Sequence, residues 1–145
     1  MLRLVDPANL SLRGGPGFVG GEWSLVGGPG GEILTAPAVW WANGTTWIEV
    51  ATDSNTAGYT LTVNPTSHVP QLNPVWNIAT GNTSPLVANG VLYAAGGGSV
   101  HAYDPTTGAL LWTAPVGGIH WQSPVVDGGY ILLADGSGAL TAWAL

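Results

Sequence analysis

The chain repeats itself at an interval of about 40 residues, and this repeat limits the possible folds more than any other feature of the sequence. Ser84-Pro85-Leu86-Val87 returns as Ser123-Pro124-Val125-Val126, 39 residues on, and Val100-His101-Ala102-Tyr103 returns as Leu140-Thr141-Ala142-Trp143, 40 residues on. A more divergent copy runs from Ala36 to Trp76, with Pro37-Ala38-Val39 at its start and Asn43-Gly44 as its first turn. Thr62-Val63-Asn64-Pro65 occupies the place that Ala102-Tyr103-Asp104-Pro105 takes in the next copy. A partial copy at the N-terminus has Leu4-Val5-Asp6-Pro7 followed by Glu22-Trp23.

Each unit follows one order. A Pro-apolar-Val strand leads to an Asn-Gly or Asp-Gly turn and then to an apolar strand such as Val91-Leu92-Tyr93-Ala94-Ala95. Such turns suit tight hairpins because both central residues need positive φ. Gly96-Gly97-Gly98 turns the chain into a third strand ending at Tyr103. Asp104-Pro105-Thr106-Thr107-Gly108 is a further turn, with Pro at the second position and Gly closing, and Ala109 to Trp112 is the outer strand. Four short antiparallel strands in ~40 residues define a β-propeller blade. The expected fold is therefore all-β, with about three four-stranded antiparallel blades per chain.

Residues 102–112, Ala-x-Asp-x-x-Thr-Gly-x-x-x-Trp with Asp104, Thr107, Gly108 and Trp112, resemble the tryptophan-docking repeat of quinoprotein-type (PQQ-like) β-propellers. The resemblance implies that Trp23, Trp76 and Trp112 close their blades and pack between neighbours. The family includes both dehydrogenases and non-catalytic scaffolds, so the resemblance implies a fold without choosing an activity.

The blades can be counted along the single domain 1–145: a partial blade at 1–26, blades at 36–76 and 84–112, and a partial blade at 123–145. The C-terminal piece stops where an outer strand is expected, and the N-terminal piece supplies the end of a third strand and an outer strand. Together they make roughly one blade. Propellers usually close with about 4–8 blades, and an open blade edge is a template for another strand. Two expectations follow. In one, chains exchange strands to form a closed homodimer or a head-to-tail fibre; in the other, the chain is part of a longer propeller.

Charge is sparse: 7% of residues are Asp, Glu, Lys or Arg, Arg3 and Arg13 are the only basic ones, and the net charge is −6. That balance offers no footing for nucleic acid, whose binding begins with phosphate neutralisation, and disfavours anionic membranes. No apolar run approaches the ~18 residues of a membrane span. Solubility rests on Thr, Ser, Asn and Gly, a habit of extracellular and cell-envelope proteins. Zero cysteines remove disulfides, thiolate metal sites and covalent haem. Residues 1–18 have no continuous apolar core and do not read as a signal peptide.

Few residues are left for chemistry. Trp40, Trp41, Trp47 and Trp121 fall outside the repeat, and Trp40, Trp41 and Trp121 are candidates for stacking on sugar rings, with blade packing as the alternative. Asp53-x-Asn55-x-x-Gly58 opens like a calcium loop but has Ala57 and Asn64 where oxygen ligands belong, so it reads as a polar hairpin. His68, His101 and His120 are expected to be structural, and no metal site or cofactor is expected. Glu49 in Trp47-Ile48-Glu49-Val50 reads as an outward residue. Asn9, Asn43 and Asn82 fit the glycosylation pattern, which has meaning only for a chain exported by a glycosylating cell. There is no Gly-x-Ser-x-Gly and no phosphate-binding glycine loop.

The reading that results is a non-catalytic scaffold or assembly module of the cell envelope or extracellular space, self-associating by blade completion. A carbohydrate-binding module and a fragment of a PQQ-dependent dehydrogenase are the alternatives. The absence of Cys and the two Arg weigh against the dehydrogenase.

Overall fold

The computed structural model describes residues 1–7 and 21–144. Thirteen strands form four antiparallel sheets among these residues. An N-terminal pair, β1 (Leu2–Val5) and β2 (Glu22–Val26), precedes blade I, which runs β3 (Ala38–Ala42), β4 (Thr45–Ala51), β5 (Thr56–Val63), β6 (Pro70–Ile78). Blade II is β7 (Thr83–Ala88), β8 (Val91–Gly96), β9 (Ser99–Tyr103) and β10 (Leu110–Pro115). Blade III has three strands, β11 (Val125–Asp127), β12 (Tyr130–Ala134) and β13 (Leu140–Ala144). The chain is all-β, a partial propeller of about three blades.

The turn chemistry behaves as the residues require. Asn43-Gly44 and Asn89-Gly90 both take positive φ at the two central positions, at 50° and 79° and at 51° and 75°, the twist that matches paired strands. In blade III, Gly128-Gly129 does the same at 54° and 83°.

Pairing register fixes which residues are equivalent between blades. Leu92 faces Tyr103 and Tyr93 faces Ala102 in blade II; Ile48 faces Tyr59 and Glu49 faces Gly58 in blade I; Ile131 faces Trp143 in blade III. A register shift interrupts the third–fourth strand pair in each sheet that has one, next to Leu111, Val75 and Trp23. Trp76 and Trp112 follow this bulge directly, facing Gly58 and Ala102.

This register amends the sequence alignment at three points. In blade I the β5–β6 pair continues past the bulge to Val63 facing Pro70, so Thr62-Val63-Asn64-Pro65 caps an extended hairpin, and Tyr59 is the residue equivalent to Tyr103. In the N-terminal pair, Ser24 faces Leu4 at the position of Trp76 and Trp112, which leaves Trp23 one residue out of that register. Asp6 N donates to Gly21 O as Asp104 N does to Ala109 O, so β1 and β13 both occupy the third position. The two partial sheets thus hold five strands between them, one more than a blade.

Stacking buries both faces of the middle blades. Leu2 and Val26 pack on Val50, Ala57 and Tyr59 of blade I. Tyr93, Ala95, Val100 and Ala102 pack against Ile131 and Leu133 of blade III. Because the inner strands β4 and β8 are covered on two sides, alternation no longer separates inward from outward residues there. Glu49 shows the consequence: it was expected to face outward and is fully buried, 0% exposed, on the face of β4 turned toward blade II.

Candidate functional site

The joint between blades I and II shows how this chain couples one sheet to the next. The Trp76 indole lies between two glycines. A Cβ on Gly58 would stand 2.3 Å from its Nε1, and one on Gly108, in the following blade, 2.7 Å from its Cε3. Only residues without a side chain leave that slot open, and Gly108 also needs its φ of +73°. The Trp76 N–H crosses the joint to donate to the Pro105 carbonyl at 2.9 Å.

The turn that receives the ring is set by Asp104. Its Oδ1 accepts from Thr106 N at 2.7 Å, Thr107 N at 3.2 Å and the Thr106 hydroxyl at 2.7 Å. The Thr106 hydroxyl bond leads in holding this carboxylate below its ordinary range. The Thr107 hydroxyl accepts from Ala109 N at 3.3 Å. Asp104, Thr107 and Gly108 therefore build the platform that Trp76 occupies.

A second tie lies toward the other end of the same joint. Buried Asn82 donates to the Thr56 hydroxyl of blade I at 2.8 Å and to the Tyr103 hydroxyl at 3.4 Å, and its Oδ1 meets His101 Nδ1 at 3.1 Å. Burial lowers the pKa of His101.

Trp112 repeats the position of Trp76 without such a cover among the described residues. It is 36% exposed and meets Trp143 edge-on at 6.1 Å between ring centroids. Beside it lies an apolar cavity of about 270 Å³ lined by Val91, Tyr93, Ala102, Leu111, Ile131 and Ala144. Ala144 is the register equivalent of Asp104, where the receiving turn begins in blade II. The outer edge of β13 has no neighbouring strand among the described residues.

The three tryptophans considered for sugar stacking are not brought together. Trp40 turns into blade I, stacked on Trp47 at 6.1 Å and donating its N–H to Glu49 Oε1 at 3.1 Å. Trp41 points to the opposite face and is 70% exposed, beside Val39 at 64%. It adjoins the Asn43-Gly44 turn, whereas Trp121 lies on the 116–124 connection, which runs past the β8–β9 and β12–β13 turns at the other end of the blades. Trp121 is 54% exposed and touches His120 edge-on at 4.1 Å.

The loop with the calcium-like opening is closed by its own bonds. Thr52 Oγ1 accepts from Asn55 N at 2.8 Å, and Asp53 Oδ1 accepts from Glu32 N at 2.9 Å. Among the described residues no three His, Asp or Glu side chains gather in a way that could hold a metal ion. His68 sits at positive φ in the β5–β6 turn, apart from the Asn82–His101 tie.

Sequence reasoning missed one part of the joint: Glu49, whose Oε2 is buried with no hydrogen-bond partner among the described residues. Burial pushes its pKa from 4.5 up to about 8, against the lowering effect of the Trp40 bond.

Repeating antiparallel blades joined by an indole against a glycine turn define a β-propeller of the PQQ-repeat class. Residues 6–145 match the family model described as outer membrane protein assembly factor BamB, and the chain belongs to that PQQ-like propeller family. No curated protein matches it. Among solved structures it is similar to BamB from Moraxella catarrhalis, with 24% identity and a TM-score of 0.51 over 73% of this chain and 32% of that one. It is also similar to a europium-containing methanol dehydrogenase, with 17% identity and a TM-score of 0.51 over 73% of this chain and 22% of that one. At these identities the likeness shows the fold alone, and the chain spans about a third of the BamB chain or less than a quarter of the dehydrogenase.

Proposed function

We propose that the chain is a non-catalytic propeller scaffold of the cell envelope or extracellular space that associates with further copies of itself by blade completion. The observation that carries this reading is Trp112, a docking indole beside an open apolar cavity and a strand edge with no neighbour among the described residues. Trp76, at the equivalent position, is covered by a glycine turn that accepts its N–H. In the proposed contact, β2 of a second copy lies antiparallel beside β13 in the fourth position. The end of that sheet where Asp6 N donates to Gly21 O then arrives at the Ala144 end of the blade, and β1 becomes an additional outer strand. Backbone pairing along the edge supplies affinity, and the Trp112 pocket supplies register.

The envelope location draws on the family's printed description as an outer membrane protein assembly factor. Trp112→Asp tests the contact. Sedimentation velocity should show association lost while the far-ultraviolet circular dichroism stays that of the wild type; association that survives the substitution contradicts the reading.

A carbohydrate-binding role has one specific observation in its favour, the 70% exposure of Trp41 next to exposed Val39. It concerns Trp41 by itself, because Trp40 is engaged with Glu49 and Trp121 lies at the far end of the blades.

A further inference from the structure

The joint between blades I and II holds a buried acid that the docking contact does not use. Glu49 is 0% exposed, and Oε1 accepts from Trp40 Nε1 at 3.1 Å while Oε2 has no partner among the described residues. The same Cβ position on Gly58 that lies 2.3 Å from Trp76 Nε1 lies 2.8 Å from Glu49 Oε2. The unpartnered oxygen and the docking N–H therefore flank one point over the Gly58 Cα. The N–H is given to Pro105 of the next blade, and the Glu49 oxygen beside it goes without.

We infer that Glu49 is a proton-operated release for the Trp76 latch, holding blade I to blade II when neutral and drawing the Trp76 N–H away from Pro105 when ionised. A neutral carboxyl tolerates one unpaired oxygen at modest cost, whereas a buried carboxylate demands a donor. Of the donors beside it, Trp40 already serves Oε1, and Trp76 is the one whose bond crosses the joint. Taking that bond for Oε2 breaks the contact between the sheets, so a local ionisation becomes a loosening of the array.

The described neighbours of Glu49 within blade I are uncharged. The neighbours within blade I are Trp40 on β3, Trp47 on β4, Gly58 on β5 and Trp76 on β6. Across the joint, the turn carries Asp104, kept ionised by its Thr106 and Thr107 bonds. β9 carries His101, which burial lowers, and Tyr103, which burial raises, so both are neutral near pH 7. The midpoint near 8 puts the transition just above neutrality.

Indole ¹H–¹⁵N spectra across about pH 6 to 10 test the latch. The Trp76 resonance is identified by its loss in Trp76→Phe. It should shift with a midpoint near 8, stay flat in Glu49→Gln, and shift at a higher pH in Trp40→Phe, which removes the donor that favours the charged form. The Trp40→Phe arm keeps the test open if Glu49→Gln fails to fold. A Trp76 resonance that is unmoved across the range, that titrates equally in Glu49→Gln, or that keeps its midpoint in Trp40→Phe overturns the inference.

Discussion

Two glycines with nearly the same backbone separate the docking contact from the backbone cost of the turn. Gly108 has φ +73° and Gly90 has φ +75°. A Cβ on Gly90 meets nothing within 4 Å, whereas one on Gly108 stands 2.7 Å from Trp76 Cε3 and 2.9 Å from Cδ2. Replacing either glycine by alanine forces an L side chain into the left-handed region, at about 1–2 kcal/mol. Gly108→Ala adds overpacking against a ring held from behind by Gly58, for which core insertions typically cost about 1–3 kcal/mol. The expected losses are therefore about 2–5 kcal/mol for Gly108→Ala and about 1–2 kcal/mol for Gly90→Ala. Urea unfolding followed by circular dichroism measures both. The cycle closes with Trp76→Ala: in that background the ring is gone, and Gly108→Ala should cost no more than Gly90→Ala. Equal losses for the two glycines in the wild-type background, or a Gly108→Ala penalty that persists without Trp76, would refute docking as the source of the coupling.

Trp76→Phe keeps most of the ring and loses the N–H bond to Pro105, so it should cost about 1 kcal/mol in the same unfolding assay. Glu49 gives stability a defined pH dependence. Its folded pKa, about 8, lies above the ordinary 4.5, so its contribution is complete below about 4.5, declines as pH rises through that interval, and levels off beyond about 8. The full decline is on the order of 5 kcal/mol. Glu49→Gln should flatten the profile between those limits, and an unchanged slope counts against burial as the cause. For the carbohydrate reading, Trp41→Ala should erase any signal on a glycan array, whereas Trp121→Ala should leave it intact.

The repeat was legible because its determinants are local. Asn43-Gly44 and Asn89-Gly90 specify hairpins through backbone conformation, and Asp104 to Gly108 specifies a turn through side-chain bonds, so neither depends on distant residues. The bulges were not legible. No residue in Glu22-Trp23-Ser24 announces that the pairing slips at that point, and an alignment by Trp identity misses a position defined by register. Glu49 was misread for a different reason. Alternation assigns faces only where one face meets water, and β4 is packed on both, by the N-terminal pair and blade I's own neighbours on one side and by blade II on the other. The separation of Trp40 from Trp41 was within reach of the sequence, since adjacent strand residues point to opposite faces. What remained hidden was that Glu49 claims the Trp40 N–H.

The proposed role depends on whether the edge at Trp112 recruits another copy. The absolute molar mass of the wild-type chain, by light scattering behind a sizing column over a range of concentrations, answers that most directly. The mass should be at or above twice the 14.8 kDa of one chain. A single species at 14.8 kDa at every concentration contradicts it.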